Sequence, residues 1–253
     1  RAAALAEPIT DVLARARRVI ATAEPFDPGL SARRFTIGMP DATAEILLPL
    51  LAEVRRVAPH IDISVRQTLR ETAVAELDAH TIDIAIVPLD DVPKRFVVRV
   101  LIEEEFIIAS RPGHPFARDP TLDRYCETLH LIISLTGDPH AYVDDVLASM
   151  GRTRRIALTV PNFMLACAII AETDLVGALP KSLVARHGRR YGVVATPAPV
   201  RLRGFQIRAI APKVAIMDAG IEWLFGLLET WAGDVDDMPG APAEPPTKRR
   251  RRG

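Results

Sequence analysis

Between Phe35 and Trp231, short runs rich in β-branched residues alternate with amphipathic stretches. That alternation narrows the chain to α/β folds built on parallel sheet more than any other feature it carries. Phe35–Met39 reads as a strand, and Ala42–Val57 as a helix in which Pro49 belongs at a first turn or a kink. Asp62–Arg66 (strand), Glu71–Ala79 (helix) and Ile82–Val87 (strand) follow. Three strands separated by helical patterns predict βαβ crossovers in one sheet. The long run Phe96–Ser110 reads as one or two strands leaving that sheet.

Arg111-Pro-Gly-His-Pro115 is a turn cluster and marks a boundary. A second alternating set begins after it. Strands are expected at His130–Leu135, Arg155–Val160, Leu175–Leu179 and Val193–Ala195, with helices at Ala141–Met150, Asn162–Glu172 and Ser182–His187. Arg203–Ala211 reads as a further strand. Ala215–Thr230 reads as one helix with Ile216, Ile221, Leu224, Phe225 and Leu228 on a single face. The pattern predicts two α/β lobes, with lobe one at about 33–109 and 209–231 and lobe two at about 110–208.

The ends differ from the middle. Ile9, Val12, Leu13, Ala16, Val19, Ile20 and Ala23 give residues 7–23 a narrow apolar stripe, suited to docking on the body or to pairing with a second chain. Residues 1–32 are therefore expected to be a linker or dimerisation helix followed by a hinge at Glu24-Pro-Phe-Asp-Pro-Gly29. Residues 232–253 are rich in Pro, Gly and Ala and end in Lys248-Arg-Arg-Arg-Arg252, the composition of a disordered basic tail. The start, Arg1-Ala-Ala-Ala-Leu-Ala-Glu-Pro8, has neither a Met nor the apolar core of a signal peptide, so a longer parent chain is expected.

Composition excludes several classes. Apolar residues make up 49% and charged residues 25% of 253, which fits neither collagen nor global disorder. The longest apolar run, Phe163–Ala171, falls short of the roughly 20 residues that cross a bilayer. Lys+Arg and Asp+Glu are both 32, so the whole chain has no net attraction to nucleic acid or anionic membrane. Cys126 and Cys167 form no CxxC pair and have no His cluster nearby, which argues against a disulfide framework or zinc site and for a reducing cytoplasm.

Catalytic signatures are missing: the sequence has no GxSxG, HExxH, P-loop or GxGxxG motif. No enzyme activity and no cofactor are expected. What remains is the rule that parallel sheets bind ligands at the carboxyl ends of strands, where helix N-termini aim free N–H groups. Three junctions carry polar residues there: Pro40-Asp-Ala-Thr43, Thr136-Gly-Asp-Pro-His140 and Pro161-Asn-Phe163. Thr43, Asp138 and Asn162 each also fit a plain helix cap, and His140 a surface histidine. Two facing lobes with such ends would form one interlobe cleft.

The order and spacing of several motifs resemble the effector-binding domain of LysR-type transcriptional regulators. They are Phe35-Thr-Ile-Gly38, Leu48-Pro49, Ala58-Pro-His-Ile-Asp-Ile63, Leu77 with Ile82-Asp-Ile-Ala-Ile86, Arg111-Pro-Gly-His-Pro-Phe-Ala117 and Leu175-Val-Gly-Ala-Leu-Pro180. The resemblance covers about residues 33–230. His140-Ala-Tyr-Val-Asp144, Gly151-Arg-Thr-Arg-Arg155 and Val160-Pro-Asn-Phe163 are similar to the branch that includes regulators of nodulation and of naphthalene and nitroaromatic degradation.

That resemblance implies two Rossmann-like lobes of the type 2 periplasmic-binding-protein architecture, an effector-binding domain at 33–231 and an N-terminal linker helix. It implies a small effector, aromatic acid or flavonoid in kind, contacted by Asp41, Ala42 and Thr43 of lobe one and by His140, Pro161, Asn162 and Phe163 of lobe two, with Leu69 and Arg70 as further candidates. It also implies a homodimer or homotetramer that acts on promoter DNA and RNA polymerase in the cytoplasm. The winged helix-turn-helix that reads the DNA is absent from this chain. Two positions depart from the branch. Asp41 puts a carboxylate where many members have small hydroxyl residues, which disfavours a simple benzoate, and Asn162 stands where a histidine is common. The alternative on the same architecture is the solute-binding protein of a transporter.

Overall fold

A computed structural model describes residues 26–232. The apolar stripe at 7–23 and the tail from 233 on lie outside the described residues. Within them the strands and helices fall into two units, one made of the residues up to Glu104 together with those from Gly204, the other of Glu105–Arg203.

The first unit holds β1 (Arg34–Met39), a 3-10 turn (Asp41–Thr43), α1 (Ala44–Val57), β2 (Asp62–Gln67), α2 (Arg70–Asp78), β3 (Ile84–Val87) and β4 (Phe96–Glu104). β10 (Phe205–Pro212), a second 3-10 turn (Ala215–Met217) and α8 (Ala219–Ala232) complete it. Its sheet has the order β2-β1-β3-β10-β4, with β1 parallel to β2 and β3, and β10 antiparallel to both β3 and β4. β3 shows why the sheet is buried on both faces. Ile84 and Ile86 join the core under α1 and α8, while Ala85 and Val87 join Ala73, Leu77 and Phe96 on the α2 side. Successive strand residues face opposite ways, so an unbroken apolar run is what a doubly covered strand requires.

The second unit holds β5 (Phe106–Ser110), α3 (Pro115–Arg118), α4 (Leu122–Glu127), β6 (Leu129–Ile133), α5 (Tyr142–Ser149) and β7 (Arg155–Val160). It continues through α6 (Phe163–Glu172), β8 (Leu175–Pro180), α7 (Lys181–Tyr191) and β9 (Val194–Thr196). Here the order is β7-β6-β8-β5-β9, with β6 parallel to β7 and β8 and β5 antiparallel to β8 and β9. Cys167, Ile170, Leu183 and Val184 pack on one face, and Phe116, Tyr125, Val143 and Leu147 on the other.

The structure sharpens several local expectations and overturns the single helix over Ala215–Thr230. The run Phe96–Ser110 is two strands, and β4 stays in the first sheet while β5 belongs to the second. The crossings accordingly lie at Glu104/Glu105 and Arg203/Gly204, five residues before the expected positions. The Pro-Gly cluster at 112–113 ends β5 rather than the lobe. Pro49 is the sixth residue of α1, which excludes the first turn of the two places expected for it; Asp41–Thr43 winds separately as a 3-10 turn before that helix. The segment expected as one helix over Ala215–Thr230 breaks at Asp218, whose carboxylate accepts from the Gly220 and Ile221 amides at 2.9 and 3.2 Å and so caps α8. Arg33 forks onto the same carboxylate at 2.8 and 2.7 Å, tying the start of the unit to its last helix.

Candidate functional site

In each unit the parallel strands end on one edge, and the register brings the candidate loops together there. In the first, Met39 is level with Gln67, and the Thr68 amide donates to the Met39 carbonyl at 3.3 Å. Pro40–Thr43 and Thr68–Arg70 are therefore neighbours. In the second, Ile133 is level with Val160, and the Ser134 amide donates to the Val160 carbonyl at 2.8 Å. That places the loop leading to His140 on the same edge as Pro161–Phe163.

The side chains at these loops are not equivalent. Thr43 is buried and turns its hydroxyl back onto the Pro40 carbonyl at 2.8 Å, so it does not cap α1. Ala42 is buried beside it, while Asp41 stays partly exposed. Leu69 is half-buried and its carbonyl receives the amides of Thr72 and Ala73, the first turn of α2. Arg70 is exposed and its Nε donates to Glu71 at 2.6 Å. Such a surface pair contributes little and leaves most of the guanidinium donors available. Thr68, which the sequence did not single out, is buried and donates to the Glu76 carboxylate at 2.8 Å, fixing the turn that carries Leu69 and Arg70.

In the second unit, Asn162 Oδ1 accepts from the Leu165 amide at 2.9 Å and caps α6, leaving its Nδ2 hydrogens to donate elsewhere. Cap and contact residue are thus compatible roles. Pro161 is exposed, and Phe163 packs half-buried against the core under α6. His140 is exposed, with Nε2 at 3.0 Å from an Asp145 carboxylate oxygen. Asp138 accepts from the His140 amide at 3.2 Å and makes a turn rather than a helix cap.

A buried polar network below the His140 loop was not legible in the sequence. Arg154, whose side chain is buried, forks onto Asp144 at 2.7 and 2.9 Å and donates to the Tyr125 hydroxyl at 3.1 Å. Asp144 in turn accepts from the Ala141 amide at 2.8 Å, so the chain just after His140 is pinned through Arg154. His130 Nδ1 lies 3.5 Å from Arg154 Nη1 and Nε2 lies 2.8 Å from the Tyr125 carbonyl. Guanidinium only donates, so Nδ1 is the acceptor and Nε2 carries the proton.

Burial drives the His130 imidazole down to about 4, with the nearby Arg154 charge acting in the same direction against the hydrogen bond to Tyr125. Burial likewise pushes the Tyr125 phenol up to about 12. Burial also raises the Asp144 carboxyl, but the hydrogen bonds and charge of Arg154 outweigh it and hold that group below the usual carboxylate range.

A pH dependence follows with a definite sign. Unfolded His130 binds a proton below about 6.5 whereas folded His130 does so only below about 4, so stability falls as pH drops through that window. The loss between pH 7.5 and pH 5 is roughly 2 kcal/mol. Urea midpoints at the two pH values check it. In His130→Gln, whose amide reaches the Nε2 position and keeps a donor toward the Tyr125 carbonyl, that part of the slope should vanish. Asp144, depressed when folded, adds its own loss only at pH below the ordinary carboxylate value.

Among the described residues no group of three or more His, Cys, Asp or Glu is placed to hold a metal ion, and no helix is long and apolar enough to cross a membrane.

Comparison with known proteins agrees with this architecture. The family model described as the LysR substrate binding domain matches residues 28–233. The HTH-type transcriptional activator NahR of Pseudomonas putida is 32% identical over 220 residues, covering 85% of this chain and 69% of that protein. The activator NagR of a Ralstonia species is 28% identical over 222 residues, covering 87% and 74%. The crystal structure of the probable transcriptional regulator PA0477 from Pseudomonas aeruginosa superposes with a TM-score of 0.82 at 25% identity, covering 91% of this chain and 77% of that one. These relatives are transcriptional regulators rather than enzymes or transport proteins, which favours the regulator reading over the solute-binding alternative. With the matched model spanning both units, the chain belongs to the LysR family and is the effector-binding domain of a LysR-type regulator.

Proposed function

We propose that this domain binds a small effector through the carboxyl-end loops of β1 and β2 in one lobe and of β6 and β7 in the other. Asp41, Ala42, Thr43, Leu69 and Arg70 stand on the first edge, and His140, Pro161, Asn162 and Phe163 on the second. The single observation that carries this is Asn162: its oxygen is spent on the α6 cap while its Nδ2 donors remain at a parallel-strand end. Arg70 and His140 add cationic or donor groups suited to an anionic effector with hydroxyl or carboxylate substituents. Phe163 and Leu69 add apolar surface suited to a ring. With the Asp41 carboxylate set against a bare benzoate, that mixture fits hydroxylated aromatic acids and flavonoids of the kind expected from the resemblance.

Binding biases an equilibrium between two conformations, and only an effector with unequal affinity for them shifts it. In the intact cytoplasmic regulator, a homodimer or homotetramer, this shift alters promoter binding by a winged helix-turn-helix outside these residues and the recruitment of RNA polymerase.

The test separates cap from contact. Asn162→Ser keeps an oxygen for the Leu165 amide and deletes the Nδ2 donors, while Asn162→Ala deletes both. The Ala variant should lose about 1 kcal/mol of stability and the Ser variant almost none. Both should weaken binding of aromatic acids about tenfold by calorimetry, the loss of roughly one hydrogen bond. Unchanged affinity in Asn162→Ser would remove Asn162 from the site.

A further inference from the structure

Between Asp174 and Asp218 the chain contains no Asp or Glu, yet it carries eight Lys and Arg residues. α7 lies in the middle of this stretch. Its inner face, Leu183, Val184 and Gly188, is buried against the second sheet, and a Cβ at Gly188 would come within 2.8 Å of the Val193 carbonyl. Arg186, Arg189 and Arg190 project on the other side, all exposed.

Their spacing of three and four residues puts them on one face within about 6 Å along the helix axis. None of the three has a hydrogen bond or ion pair with any described residue. Of the exposed arginines elsewhere, Arg34, Arg56, Arg70, Arg95, Arg99 and Arg152 pair with carboxylates, whereas Arg66, Arg155, Arg201 and Arg203 do not; what sets α7 apart is three unpaired guanidinium groups on one helix face. The helix dipole accounts for part of this, since Arg189 and Arg190 lie in the last turn, but Arg186 lies before it. A second sign of the uncompensated charge is His187. Burial first, and then Arg186 and Arg190, hold its imidazole below the ordinary value.

We propose that this arginine face of α7 is a docking surface for the phosphate backbone of duplex DNA, separate from sequence-reading contacts. The occupant follows from charge. A helix face bearing three guanidinium groups and no carboxylate complements a surface of closely spaced anions. Duplex DNA is such a surface, and the choice of it rests on the function proposed above, the relatives being HTH-type transcriptional activators. Contacts of this kind add affinity without sequence preference.

The experiment is a fluorescence-anisotropy titration of the full 253-residue chain against a mixed-sequence 30-base-pair duplex from 20 to 200 mM KCl. Lys248–Arg252 are changed to Gln so that the basic tail does not carry the signal. In that background Arg186→Gln/Arg189→Gln/Arg190→Gln should weaken binding at least tenfold at 50 mM KCl. It should also flatten the log affinity against log salt slope by two to three units, about 0.9 per lost phosphate contact.

Three results would overturn the proposal. The tail-neutralised chain fails to bind at 20 mM KCl, the triple variant binds as its parent does, or polyglutamate of equal charge competes as well as unlabelled duplex, which would point to an acidic protein surface. Effector titrations on the same variant distinguish this idea from the effector assignment. Failure there with duplex binding intact refutes the effector site alone, and the converse refutes only the DNA surface.

Discussion

Arg154→Met should lower the stability of the second lobe by about 3 kcal/mol, the low end of what breaking a buried ion pair costs, because the Asp144 left behind is only half-buried. The variant strands Asp144 with one remaining donor, the Ala141 amide, and takes a donor from the Tyr125 hydroxyl. Removing both charges is a different matter. Arg154→Met/Asp144→Leu should recover most of the loss, because an apolar pair of similar volume avoids the desolvation penalty of both ions. It should fall short of wild type by about 1 kcal/mol for the lost contact to Ala141.

Urea denaturation followed by far-UV circular dichroism measures both. Tryptophan fluorescence supplies a control, since the two tryptophans of the chain, Trp223 and Trp231, belong to α8 of the first lobe. A shift below about 1 kcal/mol in Arg154→Met would mean that the fork onto Asp144 is solvated and dispensable.

The second large effect lies in the first lobe at Gly38. This residue is buried one position before the end of β1, level with Arg66 on one side and Ala85 on the other. A Cβ there would stand 2.5 Å from Thr68 Oγ1 and 2.6 Å from Ile82 Cδ1. Neither neighbour can yield freely, because Thr68 is held by Glu76 and Ile82 is buried in the core. Gly38→Ala should therefore destabilise by about 1–3 kcal/mol through overpacking. It should also turn Thr68 away from Glu76 and displace Leu69 and Arg70 with it. Adding Thr68→Ala removes the closer obstruction and should restore part of the melting temperature. Gly38→Ala melting with wild type would show that the strand shifts enough to absorb a methyl group.

The strands of both sheets were legible because each carries an unbroken or alternating apolar run that only a covered sheet explains. Lobe assignment near the crossings was not. Arg111-Pro-Gly is a stronger local signal than Glu103-Glu-Glu105, yet the chain changes sheet at the glutamates. α3 and α4, four and six residues long, are too short for helical periodicity to emerge. Asp218 hides inside an apolar pattern that reads through it, although its role as a cap is one that Asp favours anywhere.

At the candidate site, Asn162 could be placed from sequence because cap and strand end coincide. The Thr43 hydroxyl could not, since a 3-10 turn redirects it to Pro40. The Arg154 network had no local signature at all. Its partners lie 10, 24 and 29 residues away, and nothing in Gly151-Arg-Thr-Arg-Arg155 distinguishes the buried arginine from the exposed Arg155 beside it.

The placement of β10 between β3 and β4 bears on how the chain is made. β4 is the edge strand whose sheet neighbour is β10, and β3 meets β10 on the side away from β1. Until Phe205–Pro212 has left the ribosome, β4 has no strand to pair with and one edge of β3 stays open. The second lobe is a single stretch of chain and has all its strands once Thr196 is out. Synthesis therefore delivers a foldable second lobe while the first still waits as an open half-sheet. Closing it demands pairing across some hundred residues, the kind of long-range contact that slows folding and leaves strand edges exposed to other nascent chains.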